Sequence, residues 1–171
     1  GGTNKPERVQ RQDAQDEEKK IRDKLKKDLL AELEPVNKAD LDQAIEAFNK
    51  ALRGNPEDVE ALYGRSNEYR KAGEFGKALD DINEAIGIAP ENADYRLQRG
   101  LIYFDKSEYD KAIENYDKAI SIDPDDAYAW HCRGKAYGYK GEYDKAIENY
   151  DQAISLKPEE AQYWAYRGFA Y

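Results

Sequence analysis

The chain has 171 residues, 40% of them hydrophobic and 37% charged, and carries a net charge of −9. No apolar run approaches the roughly 20 residues of a membrane-spanning helix, so the composition fits a soluble domain with a polar extension. The acidic excess argues against nucleic acid as the main ligand, because phosphate backbones are repelled, and one cysteine, Cys132, rules out an internal disulfide.

The charge is unevenly placed. Residues 1–39 hold 10 basic and 9 acidic side chains and the remainder hold 17 and 27, a net of −10 on the rest of the chain, which favours a neutral or basic partner. There is no methionine, so the chain is expected to be processed or trimmed. Its opening, Gly1-Gly2-Thr3-Asn4-Lys5, reads as a cloning scar or as the start of a mature bacterial lipoprotein. The compartment stays open; a cytoplasmic location is preferred to a periplasmic or lipid-anchored one.

Residues 1–15 lack apolar periodicity and are expected to be a disordered tail. From residue 16 the pattern changes: Ile21, Leu25, Leu29 and Leu33 recur every fourth position, with Leu30 beside them, which predicts a helix that stops before Pro35. We read residues 16–58 as a capping helix and an atypical first hairpin, the helix pairing with residues 41–53. A docking or membrane-surface helix using Lys19, Lys20, Lys24, Lys26 and Lys27 is the alternative, weakened for a membrane by interleaved acids.

Beyond this point the chain repeats itself. Pro56, Pro90, Pro124 and Pro158 stand 34 residues apart, and residues 109–121 (YDKAIENYDKAIS) recur as residues 143–155 (YDKAIENYDQAIS). The units are 59–92, 93–126 and 127–160, followed by a partial unit, 161–171. Within the third, Trp130, Gly134 and Tyr137 fall at i, i+4 and i+7, and so do Ala146, Tyr150 and Ala153, so each unit is a helical hairpin. Gly73, Ser107 and Gly141 occupy the place where a left-handed residue ends the first helix, and the prolines end the second. Asn92 and Asp126 are candidate caps for the helices that follow.

In these residues the chain resembles the tetratricopeptide repeat family, whose signature positions Trp130, Gly134, Tyr137, Ala146, Tyr150 and Pro158 occupy in order. The resemblance covers roughly residues 40–171. It implies an all-α, right-handed α-solenoid whose first helices line a concave groove. One departure recurs: arginine replaces the signature leucine at Arg65, Arg99, Arg133 and Arg167. The position lies about 60° from the core centre, away from the groove, where its methylenes pack and its guanidinium reaches an acidic neighbour. Small residues, Ser66, Gly100, Gly134 and Gly168 on first helices and Ala44, Ala78, Ala112 and Ala146 on second helices, let the axes approach. Tyr69, Tyr103 and Tyr137 are expected to fill the space beside them.

Reactive constellations are scarce. His131 and Cys132 are the only residues of their kinds and are adjacent, but helix neighbours point about 100° apart and do not face one another. Asp123, Asp125 and Asp126 open like a calcium loop, yet the following residues lack the turn glycine and closing glutamate. We expect no catalytic residue, metal or cofactor, and read these aspartates as helix caps. What remains is a surface. On helical geometry the groove is lined by Tyr63, Asn67 and Arg70, then Leu97, Leu101 and Phe104, then Tyr128, His131, Lys135 and Gly138, and finally Ala165 and Phe169, with Tyr166 at the margin. Aromatic, aliphatic and cationic side chains in one channel suit peptide recognition. The resemblance also suggests the carboxylate clamp by which some members hold chaperone tails. Asn67 matches one clamp position, but Tyr63, Tyr128 and Cys132 stand where bases are needed and Gln98 replaces an asparagine, so a clamp is not expected.

The last unit supplies one helix. Trp164, Gly168 and Tyr171 on its core side would have one neighbour instead of two, so we expect further repeats beyond residue 171, or self-association through this end. The reading is a non-catalytic scaffold or adaptor holding a peptide or partner protein in its groove. The alternative is a structural or oligomerisation module acting through its stacking ends.

Overall fold

The thirty-four-residue period becomes a pair of antiparallel helices in each unit. The computed structural model describes residues 37–170; the expected tail, the helix of residues 16–33 and Tyr171 lie outside them. The described residues form eight helices and no strand: α1 (Lys38–Gly54), α2 (Val59–Lys71), α3 (Phe75–Ile88), α4 (Ala93–Asp105), α5 (Tyr109–Ile122), α6 (Ala127–Tyr139), α7 (Tyr143–Leu156) and α8 (Ala161–Ala170). Consecutive helices pack together throughout, and the first helices also touch one another in the order α2, α4, α6, α8. That second set of contacts makes them a continuous row, the hallmark of a solenoid.

The punctuation is local chemistry. Asp58, Asn92 and Asp126 cap α2, α4 and α6 by accepting from the free amides of Ala61, Asp94 and Tyr128 at 3.0, 2.9 and 2.9 Å. Between the two helices of each hairpin, Gly73 and Gly141 take φ of +75° and +79°, and Ser107 takes +61°. Around this turn the amides of Glu74, Glu108 and Glu142 reach back to the carbonyls of Tyr69, Tyr103 and Tyr137. A side chain at Ser107 makes that turn more strained than its two glycine counterparts.

Close approach of the two helices in a hairpin depends on the small residues. Ala78, Ala112 and Ala146 are fully buried, and the Ser66 hydroxyl donates to the Ala78 carbonyl at 2.8 Å. A Cβ added at Gly100 would sit 2.5 Å from the Tyr116 ring, and one at Gly134 would sit 2.8 Å from the Tyr150 ring. The rings that cover the glycines therefore come from second helices. Tyr69, Tyr103 and Tyr137, expected there, instead pack partly buried at the core margin, beneath the ammonium groups of Lys77, Lys111 and Lys145. Burial of Leu62 and Ile82 from the first unit and Ile102 from the second anchors the junction between them, each contributing about 1.5–3 kcal/mol before ordering costs.

The recurring arginines form a ladder on a fixed step. Each reaches sixteen residues forward, to the second helix of its own unit, or sixteen back, to the second helix of the preceding one. Arg65 grips Asp81 with two bonds of 2.8 and 2.7 Å and donates to Asn49 at 2.8 Å. Arg133 donates to Asn149 at 2.7 Å and Asp117 at 2.6 Å, and Arg167 pairs with Asp151 at 2.7 Å. Arg99 departs from the expected acidic neighbour: among the described residues it meets only the amide oxygens of Asn115 and Asn83, at 2.7 and 2.9 Å, and its burial pulls its pKa below the ordinary arginine value. Asn115 and Asn149 are oriented for this task by donating to the carbonyls of Lys111 and Lys145.

Candidate functional site

The row α2–α4–α6–α8 carries the residues that the sequence assigned to a groove, and ring contacts join successive helices along it. Tyr63 meets Tyr95 at 5.3 Å between centroids, Phe104 meets Tyr139 edge-on at 5.2 Å, and His131 meets Tyr163 and Tyr166 at 4.9 Å each. The structure divides the assigned residues into three groups.

Those in the first half are committed to one another. Arg70 pairs with Asp105 at 2.6 Å, and Asn67 accepts from Gln98 at 3.4 Å and Arg70 at 3.5 Å. Tyr63 is half-buried, and burial raises its hydroxyl pKa. The bonds to Asp105 and Gln98 cross from α2 to α4, and together with the Arg70–Asn67 bond within α2 they leave few donors for a ligand.

Two of the assigned residues are covered. Leu97 is 9% exposed and joins the cluster that contains Ala129 and Cys132; His131 is 3% exposed and enclosed by Tyr128, Tyr150, Tyr163 and Tyr166. A helical wheel gives the direction of a side chain but not how closely the next helix approaches, which is why both were expected to face the channel. Burial, helped by the charge of Lys135, pushes the His131 pKa down to about 4, so the ring is neutral, and its Nδ1 has no hydrogen-bond partner among the described residues. Burial likewise pushes the Cys132 thiol up to about 12, the signature of an inert structural cysteine.

The accessible residues gather at the far end of the row. Tyr128 and Phe169 are exposed, Leu101, Phe104, Lys135 and Tyr166 are half-buried, and a cleft of about 310 Å³ opens where α6, α7 and α8 meet. Lys135, Gly138, Tyr139, Tyr143, Tyr150, Tyr166, Phe169 and Ala170 line it. Tyr139, Tyr143 and Tyr150 were missed by the sequence reading, the last two because they come from a second helix. The signal was present as aromatic residues bracketing the Gly141 turn. Trp164, expected at a self-association end, is 48% exposed, with its indole N–H given to the Pro158 carbonyl at 3.0 Å; a Cβ added at Gly168 would meet nothing within 4 Å.

Among the described residues, no group of three His, Cys, Asp or Glu side chains is placed to hold a metal ion, and no helix is long and apolar enough to cross a membrane.

Stacked antiparallel hairpins with capped first helices and small-residue contacts define a helical-repeat binding protein. Family models for the tetratricopeptide repeat match residues 36–90 and 127–160, and a TPR repeat model matches residues 100–139. The chain belongs to the tetratricopeptide repeat family. Among solved structures it is similar to MamA, at 31% identity over 78% of each chain with a TM-score of 0.70. It is also similar in fold to the TPR domain of Arabidopsis OM64, at 24% identity over 67% of this chain and 94% of that one, with a TM-score of 0.64. A third similar structure is the second TPR domain of human RPAP3 in complex with an HSP70 peptide, at 22% identity over 64% and 91%, with a TM-score of 0.61. A comparison with curated protein sequences finds no match.

Proposed function

We infer that the chain is a non-catalytic interaction scaffold that holds a peptide, or an extended segment of a partner protein, along the row of first helices. The observation that carries this reading is the aromatic cleft between α6, α7 and α8, where exposed rings and one cation converge on an open space. Rigid rings bury large area at small entropic cost, which suits them to anchoring a peptide side chain. The RPAP3 domain, which shares the fold, is bound to a peptide, and this supports the general mode. It does not transfer the peptide, since the basic positions of a tail clamp hold Tyr63, Tyr128 and Cys132 here. The acidic surface favours a partner that is neutral or basic overall.

A second reading has its own observation. Exposed Trp164 and the unfilled slot at Gly168 suit stacking against a further helix pair, whether from this chain or another copy.

Panning a random peptide library on the protein and mapping the enriched peptides by NMR separates the two. The groove reading expects shifts on α4, α6 and α8 around Lys135 and Phe169 with no change in mass by light scattering. Shifts confined to Trp164 and Gly168, or to the arginine ladder, would reject it.

A further inference from the structure

The cations along the row are mostly neutralised within the chain. Arg70 is paired with Asp105, and Lys140 lies between Asp110 and Glu142 at 2.7 Å from each. Lys135 is different: it has no carboxylate partner among the described residues, and none of the cleft-lining side chains is acidic. Its ammonium is nevertheless held in place, 5.1 Å from the Phe104 centroid on α4 and 5.3 Å from that of Tyr166 on α8. A partly desolvated cation fixed between two rings, at the mouth of an apolar cleft and without a counter-charge, is poised to receive one.

We propose that the cleft accepts a tryptophan or phenylalanine side chain from an internal stretch of a partner polypeptide, and that Lys135 pairs with an aspartate or glutamate next to that ring. This rests on the groove reading above and specifies its ligand. The space of about 310 Å³ is sufficient for one aromatic side chain, and the Tyr139, Tyr143, Tyr166 and Phe169 rings offer edges and faces to it. The adjoining carboxylate contacts Lys135 within a few ångströms, whereas the acidic surface elsewhere acts over distances that salt screens, with a Debye length of about 8 Å at physiological strength. A partner that is neutral or basic overall therefore still meets this requirement with a single acidic residue. The carboxylate is assigned to a side chain because the positions where a terminal carboxylate would need bases carry Tyr63, Tyr128 and Cys132.

The test uses doubly capped Gly/Ser heptapeptides containing a central Trp-Glu, Trp-Gln, Trp-Lys or Ala-Glu step, titrated by NMR and calorimetry. The expected result is Trp-Glu binding about fivefold tighter than Trp-Gln, the size of one accessible ion pair, with Trp-Lys and Ala-Glu weaker still. Amide shifts should centre on Lys135, Gly138 and Phe169, and the Trp-Glu advantage should shrink as salt is raised. Lys135→Gln should equalise Trp-Glu and Trp-Gln while its circular dichroism and melting stay those of the wild type. Equal binding of Trp-Glu and Trp-Gln to the wild type would overturn the proposal and leave the groove reading standing. An uncapped peptide ending in Trp that outcompetes capped Trp-Glu would overturn it in favour of a terminal carboxylate. Absence of binding by every peptide, with cleft resonances that shift on dilution and a mass that rises with concentration, would make a second copy the occupant and overturn both readings.

Discussion

Alanine in place of Gly100 adds a single methyl group where the structure leaves no room for one. The new Cβ would lie 2.5 Å from Cε1 and 2.7 Å from Cδ1 of Tyr116, whose side chain is fully buried and has no open space to swing into. Overpacking of this kind costs about 1–3 kcal/mol, against about 0.5–1 kcal/mol that alanine returns through helix propensity. The net expectation is a loss of about 1–2 kcal/mol. Gly168→Ala is the matched comparison: it occupies the equivalent place on α8, its Cβ meets nothing, and only the propensity gain remains, reduced by its place in the final turn. Urea unfolding followed by far-ultraviolet circular dichroism reads both variants, provided the slope with denaturant is unchanged. If Gly100→Ala is as stable as the wild type, or gains as much as Gly168→Ala, the account of helix approach through Tyr116 is wrong.

His131 is held neutral by burial, with a pKa of about 4 against 6.5 when free, so the unfolded chain binds its proton first; stability is full above pH 6.5 and declines as pH falls towards 4, by about 2–3 kcal/mol from this residue. The difference in unfolding free energy between wild type and His131→Phe across that range measures it, and a difference that does not change with pH would contradict the burial argument. Cys132, with its thiol pushed up to about 12, should resist a thiol reagent at pH 8 in the native protein and react at the rate of unfolding once urea is added. Asp81→Asn removes one side of a two-bond grip on Arg65 in a mostly buried setting and should cost about 1–3 kcal/mol, whereas Asn83→Asp supplies Arg99 with a carboxylate and should gain about 0.5 kcal/mol, both read from thermal melts.

Much of the architecture was legible because the repeat is punctuated by residues with strong local physics. Glycine at positions 73 and 141 and the caps at Asn92 and Asp126 mark helix ends without reference to tertiary contacts. The structural role of the recurring arginines was also visible, but the acidic neighbour expected for each is replaced at Arg99 by the amide oxygens of Asn115 and Asn83. What the wheel could not supply was depth. Leu97 and His131 were expected to face the channel, but neighbouring helices close over them, and that distance depends on side chains 30 or more residues away. The same limitation hid Tyr116 and Tyr150, whose rings roof the glycines from the second helix. It hid Tyr143 as well, because the groove was sought only on first helices, whereas the cleft draws one wall from α7.

The uncharged rung at Arg99 does not leave its junction without an ion pair. Between α3 and α4 the only ladder bond runs to the amide oxygen of Asn83, whereas α5 is joined to α6 through Asp117 and α7 to α8 through Asp151. The charge missing from that rung is supplied by Arg70 of α2, which pairs with Asp105 of α4, so each junction between units from α2 to α8 is crossed by at least one ion pair. Concentrated salt should therefore loosen the three junctions together rather than one ahead of the others.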